Sequence, residues 1–157
     1  MSKRTPATLA LDRAGLAFEL VSYAYDPGAE RIGLQAAEAL GQPPGRVLKT
    51  LMAKVDGAPV CVVVPSDREV SMKKLAAAFG GKAAAMMDRA EAERITGYRI
   101  GGVSPFGQKR PAPTAIEAAA LSEPYVFVNA GQRGLQARLD PQAACRALGA
   151  VVASLTA

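Results

Sequence analysis

The strongest constraint on the fold of this chain is local. A run from Val47 to Val55 meets Asp56-Gly57, and a second apolar run, Val60 to Val64, follows at once and stops at Pro65. An Asp-Gly pair enters the left-handed backbone of a tight two-residue turn at little cost, so the two runs are expected to pair as an antiparallel hairpin. Punctuation predicts the elements around it. Thr5-Pro6 opens a helix that Gly15 ends. Phe18 to Ala24 reads as a strand, broken by Asp26-Pro27-Gly28. A short Ala-rich helix from Leu34 to Leu40 stops at Gly41, and Pro43-Pro44-Gly45 forbids its continuation.

Beyond the hairpin, Ser71 caps a helix that places Met72, Leu75, Ala76 and Phe79 on one face and closes at Gly80-Gly81. Ala83 to Met87 is expected as a short buried strand, and Asp88-x-x-Glu91 as a capping box opening a helix that ends at Gly97. The stretch Gly97 to Pro113 is a loop rich in Gly and Pro. Two strands, Tyr125 to Asn129 and Leu135 to Leu139, flank Ala130-Gly131-Gln132-Arg133-Gly134; Asp140-Pro141 caps a last helix ended by Gly149, and Val151-Val152 forms a closing strand. Helices and strands mix without regular βαβ alternation. The expectation is one α+β domain over residues 1–157, built on a mixed, strongly curved sheet.

Composition narrows the chemistry. Half of the 157 residues are hydrophobic, 32 of them alanine, so the core is expected to be rich in small residues. Nineteen basic against 14 acidic residues leave a net charge of +5, which suggests an anionic partner without naming one. There is no His, which removes Ser-His-Asp triads, Cys-His dyads, His-rich zinc sites and His general bases together. Two Cys, Cys61 and Cys145, are too few for a disulfide framework or a Cys-rich zinc site and read as core thiols in a reducing cytosol. No apolar segment follows Met1-Ser2-Lys3-Arg4, so no secretory signal is expected. Eight aromatics give little material for stacking single-stranded RNA bases.

Chemistry then has to run on Lys, hydroxyls, backbone amides and the substrate itself. On a strand, Val47, Lys49, Leu51, Ala53 and Val55 share a face, so one Lys stands among four apolar neighbours. Such a Lys either presents a fixed, partly desolvated cation or snorkels to solvent from the strand start. The loop Gly101 to Gly107 either lets successive N–H groups meet an anion or an oxyanion, with Ser104 adding a hydroxyl, or is a tight connector. Arg133 in the Gly131–Gly134 turn either reaches a phosphate or belongs to an ordinary hairpin connection. Lys73-Lys74, Lys109-Arg110 and Arg133 form a basic face or stand as separate solvated charges. Asp26 sits at a turn beside a Gly-containing loop.

Four segments carry a resemblance: Tyr23-Ala24-Tyr25-Asp26-Pro27; Val47-Leu48-Lys49-Thr50-Leu51; the run Thr96 to Lys109 with Gly101-Gly102-Val103-Ser104-Pro105; and Gln132-Arg133-Gly134-Leu135. In the same order along nearly the whole chain, they resemble the YbaK-type Cys-tRNA(Pro) deacylases, relatives of the editing insertion domain of bacterial prolyl-tRNA synthetases. The resemblance implies a barrel-like sheet with surrounding helices and a cytoplasmic trans-editing factor that cleaves cysteine from tRNA(Pro), and can act on Cys-tRNA(Cys), without metal or organic cofactor. It implies substrate assistance, in which the cysteine thiol attacks its own carbonyl. The functional Lys falls on Lys49, the pocket-lining Tyr on Tyr23, and the GxxxP loop on Gly101 and Pro105 around Ser104. With Asp26, Thr50, Gly102, Gly131, Arg133 and Gly134, these are the implied substrate contacts, and Lys109 and Arg110 the implied nucleic-acid contacts. Ile32 stands where well-known members have Phe, and Gln136 where an Asp is usual. A deacylase for Ala or Ser, and a non-catalytic module holding tRNA or, in a transient complex, prolyl-tRNA synthetase, are the alternatives.

Overall fold

The computed structural model describes residues 4–28 and 32–157. The central hairpin forms as its turn dictates, with Asp56 at φ 49° and Gly57 at φ 84°. Strand β2 (Leu48–Val55) pairs antiparallel with β3 (Ala58–Pro65) along its whole length. Before it come α1 (Pro6–Arg13), β1 (Glu19–Ser22), α2 (Ile32–Leu40) and a 3-10 turn, Pro44–Arg46. After it come α3 (Met72–Ala78), β4 (Ala84–Met86), α4 (Arg89–Thr96) and β5 (Thr114–Glu117). A 3-10 turn (Ala118–Ser122), β6 (Val126–Gln132), β7 (Leu135–Leu139), α5 (Pro141–Leu148) and β8 (Val151–Ala153) complete the described elements.

The class is α+β, as expected, but the strands divide between two sheets. One has the order β4-β2-β3-β5-β8 and the other β1-β7-β6. The first is mixed, because β5 runs parallel to both β3 and β8. The second is wholly antiparallel. A single parallel bridge, Val47↔Phe127, links them, and no closed barrel forms among the described residues.

The unbroken apolar run of β3 follows from burial on both faces. Cys61 and Val63 join a cluster with Leu48, Met52, Ile95 and Ile116. Val60, Val62 and Val64 join another with Leu75, Ala115 and Leu155. Helix α2 closes a third, with Ala36 and Ala37 against Val47 and Phe127.

Three elements differ from their sequence patterns. Ala83–Met87 shortens to β4, an edge strand with Ala85 and Met86 exposed rather than a buried one, because it pairs only with the end of β2. The Asp88–Glu91 capping box is half made: Asp88 accepts from the Glu91 N–H at 3.3 Å, while the Glu91 carboxylate pairs with Lys54 at 2.8 Å. Strand β5 carries no turn signal or alternation, and its four residues are all buried. Among the described residues no helix is long and apolar enough to cross a membrane.

Glu117 ends β5 and ties down the chain beyond β8. Its Oε1 accepts from the N–H groups of Leu155 at 2.7 Å and Thr156 at 3.1 Å, and its Oε2 from Ala119 at 3.1 Å. Burial pushes the carboxyl up, but those N–H donors together hold it below its ordinary value. The stability it adds is therefore present above the ordinary carboxylate range and disappears as pH falls through the lowered value. Glu117→Gln is expected to cost about 1–3 kcal/mol at neutral pH. The deficit should shrink in acid, as read by urea denaturation at pH 7 and pH 3.

Candidate functional site

The site begins where β2 loses a neighbour. β3 covers one edge of β2 throughout, whereas β4 covers the other only from Ala53 to Val55. At the opposite end the Val47↔Phe127 bridge holds β2 to β6. Between these two points the sheets part around a cavity of about 410 Å³ whose wall includes Lys49 and Thr50. Tyr23, just past β1, Asn129 of β6 and Gln136 of β7 line it from the smaller sheet. Gly101, Met86, Met87 and Arg89 also line it.

Lys49 and Arg89 are the charged groups on this wall; among the described lining residues there is no carboxylate. Arg89 lies 3.9 Å from Glu93, and none of the ion pairs of the described residues involves Lys49. Burial raises the Tyr23 phenol above its ordinary value, partly offset by a hydrogen bond from the Gln136 amide. Two buried oxygens of lining residues, Thr50 Oγ1 and Gln136 Oε1, are turned away from solvent and have no hydrogen-bond partner among the described residues. Cys61 is no nucleophile for this cavity: its side chain is fully buried, and burial pushes the thiol up to about 12.

The Gly-rich loop is held in place by three side chains. Glu93 accepts from the Ile100 N–H at 2.9 Å, and Arg133 Nε donates to the Ile100 carbonyl at 3.0 Å. Asn129 Nδ2 donates to the Gly101 carbonyl at 3.2 Å, while its Oδ1 accepts from the N–H groups of Gly131 at 2.7 Å and Gln132 at 3.1 Å. Gly101 stands at φ +92°, and a Cβ there would lie 2.6 Å from the Tyr25 hydroxyl. No other residue fits that position without displacing Tyr25.

Of the residues singled out in the sequence, Tyr23, Lys49, Thr50 and Gly101 come together on the cavity wall. Gly102, Gly131 and Arg133 do not line it; with Arg99 and Tyr98 they shape a second recess of about 310 Å³. Arg133 also lies over the Tyr25 ring, 5.2 Å from its centroid. Lys109 and Arg110 are exposed, and Lys109 flanks that recess beside Gly97. Ser104 and Pro105 are buried away from the cavity. The Ser104 hydroxyl accepts from the Phe106 N–H at 3.1 Å, so it shapes the loop from within. Asp26 is exposed and closes a local turn onto the Gly28 N–H at 2.9 Å, while the Gln35 side chain grips its backbone. Gly134 accepts from the Tyr23 N–H at 2.9 Å and so positions Tyr23 without touching the cavity. Ile32 opens α2, and its side chain lies outside the described residues.

Asn129 and Arg89 were not legible as site residues, and Gln136 stood out only as a departure from the usual Asp. Asn129 had a signal, since an Asn two residues before a turn Gly is placed to accept from the turn's N–H groups. Because it joins the Gly131–Gly134 turn to Gly101, Asn129→Ala leaves several buried backbone groups unpaired. A loss of about 1–3 kcal/mol in urea denaturation is expected.

With this geometry in view, the comparisons with known proteins are specific. Residues 27–146, more than half of the chain, match the model of the aminoacyl-tRNA editing domain. A protein of Enterococcus faecalis named "Putative Cys-tRNA(Pro)/Cys-tRNA(Cys) deacylase EbsC" is 41% identical over 108 residues, 68% of this chain and 66% of that one. The proline–tRNA ligase of Desulfovibrio desulfuricans is 29% identical over 110 residues, 70% of this chain but 19% of the ligase. The chain thus spans just under two thirds of the Enterococcus protein and about a fifth of the ligase. A crystal structure described as "a putative trans-editing enzyme for prolyl tRNA synthetase" superposes with a TM-score of 0.84 at 26% identity, covering 99% of both chains. A cavity formed where two sheets part, a Lys on its wall and a Gly-rich loop at its side therefore sit within a known frame: the chain belongs to the aminoacyl-tRNA editing domain family.

Proposed function

We propose that residues 1–157 act as one trans-editing domain, an aminoacyl-tRNA deacylase that removes cysteine wrongly attached to tRNA(Pro) and also accepts Cys-tRNA(Cys). One observation carries this reading. Lys49, Thr50, Tyr23 and Gly101, which lie far apart in sequence, line the same cavity. The name of the Enterococcus relative and the described role of the structural neighbour support it.

The resemblance to the Cys-tRNA(Pro) deacylases implies that the substrate supplies the nucleophile, and a chain without His is compatible with that. The cysteine sulfur attacks its own ester carbonyl, so a C–S bond forms and the C–O bond to the tRNA ribose breaks. The ribose oxygen leaves with the thiol's proton, and the amino acid departs as a cyclic thioester that water later opens. Expulsion of the ring makes the first step lyase-type, and hydrolysis follows it. Lys49 holds the aminoacyl ester or the terminal phosphate, and the backbone N–H of Gly101 is the one in this loop left for the developing oxyanion, since the Ile100 N–H donates to Glu93 and the Gly102 N–H to the Arg99 carbonyl at 2.8 Å. A pocket alone separates side chains differing by a methylene by only ~10–200-fold, whereas proline has no thiol with which to react. The recess beside Gly102, bordered by Arg99, Arg133 and Lys109, with Arg110 further along the loop, takes the tRNA strand. The reaction belongs in the cytoplasm, in transient contact with prolyl-tRNA synthetase.

A deacylation time course with labelled Cys-tRNA(Pro), Ala-tRNA(Pro) and Pro-tRNA(Pro) tests this. Loss of cysteine alone is expected, and Lys49→Ala should lower the rate by about 10²–10³-fold with an unchanged melting temperature. Loss of alanine instead would keep a deacylase and remove thiol assistance. Loss of none would leave a tRNA- or synthetase-binding module. Titration of tRNA binding against salt tests the strand path. Arg133→Ala should flatten the slope of log K against log salt by about 0.7, the contribution of one single-strand phosphate.

A further inference from the structure

The register of β2 decides which of its backbone groups turn toward each neighbour. Along an antiparallel strand, successive residues direct their N–H and C=O groups alternately to one edge and the other. The Ser66 N–H donates to the Val47 carbonyl at 2.9 Å and so continues the β2–β3 ladder. The odd-numbered residues of β2 therefore bond to β3, and the even-numbered ones face the other edge. There the Asp56 N–H donates to the Ala83 carbonyl at 2.8 Å, and the Met87 N–H to the Met52 carbonyl at 3.1 Å. Thr50 lies between Met52 and the Val47↔Phe127 bridge. Its N–H and C=O leave by that same edge and take no partner among the described residues.

The cavity occupies this edge. Its wall includes Leu48, Lys49, Thr50, Leu51 and Met52 without a break. Successive side chains of a strand point to opposite faces, so a cavity that touches all of these residues runs along the edge and not over one face. Several other acceptors of the lining residues are spent. Asn129 Oδ1 serves the N–H groups of Gly131 and Gln132, the Gly101 carbonyl takes Asn129 Nδ2, and Thr50 Oγ1 and Gln136 Oε1 are turned away from solvent. The Thr50 backbone offers one donor and one acceptor together. Directly opposed residues of an antiparallel pair exchange both bonds, so the complement of this edge is a single residue of main chain, an N–H and a carbonyl on either side of one α-carbon. An aminoacyl ester carries that set in its α-amine and its carbonyl; a ribose or a phosphate does not.

Resting on the deacylase reading above, we infer that the free edge of β2 at Thr50 takes the aminoacyl group as a one-residue antiparallel strand, its carbonyl accepting from the Thr50 N–H and its α-amine donating to the Thr50 C=O. Side chains of directly opposed residues lie on the same face of a sheet. The side chain of an L-aminoacyl group therefore points to the face of Thr50, where Leu48, Met52, Met87, Ala92 and Val103 line the cavity within one apolar cluster. Lys49 projects to the opposite face of β2, and its cation stays clear of that side chain.

Amide hydrogen exchange of the 15N-labelled chain, read residue by residue by NMR, tests this with non-cleavable probes. In the free chain the Thr50 N–H should exchange ~10-fold or more faster than those of Lys49 and Leu51, which belong to the β2–β3 ladder. Saturation with 3′-(L-cysteinylamino)-3′-deoxyadenosine should slow Thr50 by ~10-fold or more and leave Lys49 and Leu51 unchanged, while adenosine alone should leave Thr50 unprotected. The 3-mercaptopropionyl counterpart, which lacks the amine, and the D-cysteinyl counterpart should each bind about 3–10-fold more weakly than the L-probe. Thr50→Pro deletes an N–H from a free edge, where proline breaks no ladder bond, and should weaken the L-probe by a similar factor. The exchange measurement needs no variant and decides the matter if that one does not fold. A Thr50 N–H already protected in the free chain, protection by adenosine alone, equal binding of the L-probe and its two counterparts, or no binding of the L-probe would overturn the pairing. Cleavage of Cys-tRNA(Pro) with Thr50 unmoved by the L-probe would sink the pairing and keep the deacylase; Thr50 protected by the L-probe with no aminoacyl-tRNA cleaved would do the reverse.

Discussion

The cavity depends on one parallel bridge, Val47↔Phe127. It fastens the start of β2 to the smaller sheet, after which the two sheets go separate ways and β2 runs on between β3 and, only at its far end, β4. A strand paired on one edge but free on the other over several residues exposes polar backbone, and a sheet normally closes that gap. Here the gap is the cavity. Val47 and Phe127 are almost fully buried under α2, so the bridge is locked by packing as well as by its own hydrogen bonding. Lys49 stands two residues beyond it. A bridge shifted by one residue would turn Lys49 to the opposite face of the strand, so the position of the cation is set by the pairing of the two sheets.

The second constraint is the contact between two turns distant in sequence. The Gly101 loop and the Gly131–Gly134 turn are joined by Asn129 and Arg133, which bond to the carbonyls of Gly101 and Ile100. The register shift in the β6–β7 ladder between Asn129 and Gln132 frees the backbone groups that Asn129 takes up. One bulge therefore fixes the wall of the cavity, on which Gly101 lies, and the rim of the neighbouring recess, on which Arg133 lies.

Local chemistry made much of this legible in the sequence. The Asp56-Gly57 turn, the Thr5, Ser71 and Asp140 caps, and the glycines at helix ends act within a few residues, and the elements they predicted formed. Lys49 stood out because a cation is unexpected on a strand face of apolar residues. What stayed hidden depends on distant partners. β5 is a four-residue strand whose identity comes from lying between β3 and β8. Nothing in the alternation of β2 and β3 shows that the strands form two sheets, since that follows from where pairing stops. Ser104 reads as an available hydroxyl until the Phe106 N–H is seen on it. Gln136 stands out in the sequence only as a departure from the usual Asp, and its burial beside the cavity depends on partners distant in the chain.

The division of labour along the cavity wall follows from these placements. On the side of the larger sheet, Lys49 contributes a charge that acts over several ångströms and needs no exact geometry. On the side of the smaller sheet, Tyr23 contributes a hydroxyl whose place follows from the pairing of β1 with β7, while Asn129 spends its amide on the Gly101 loop and the Gly131–Gly134 turn. The apolar part, Met86 and Met87, comes from the edge strand β4 and the residue after it; Met86 is half exposed, and thioether side chains adapt their shape readily. A rigid polar floor facing a pliable apolar rim orients a ligand by its polar atoms and tolerates variation in its side chain. Discrimination between small amino acids then cannot come from the fit of the rim, and within the proposed reading it has to come from the reacting group itself.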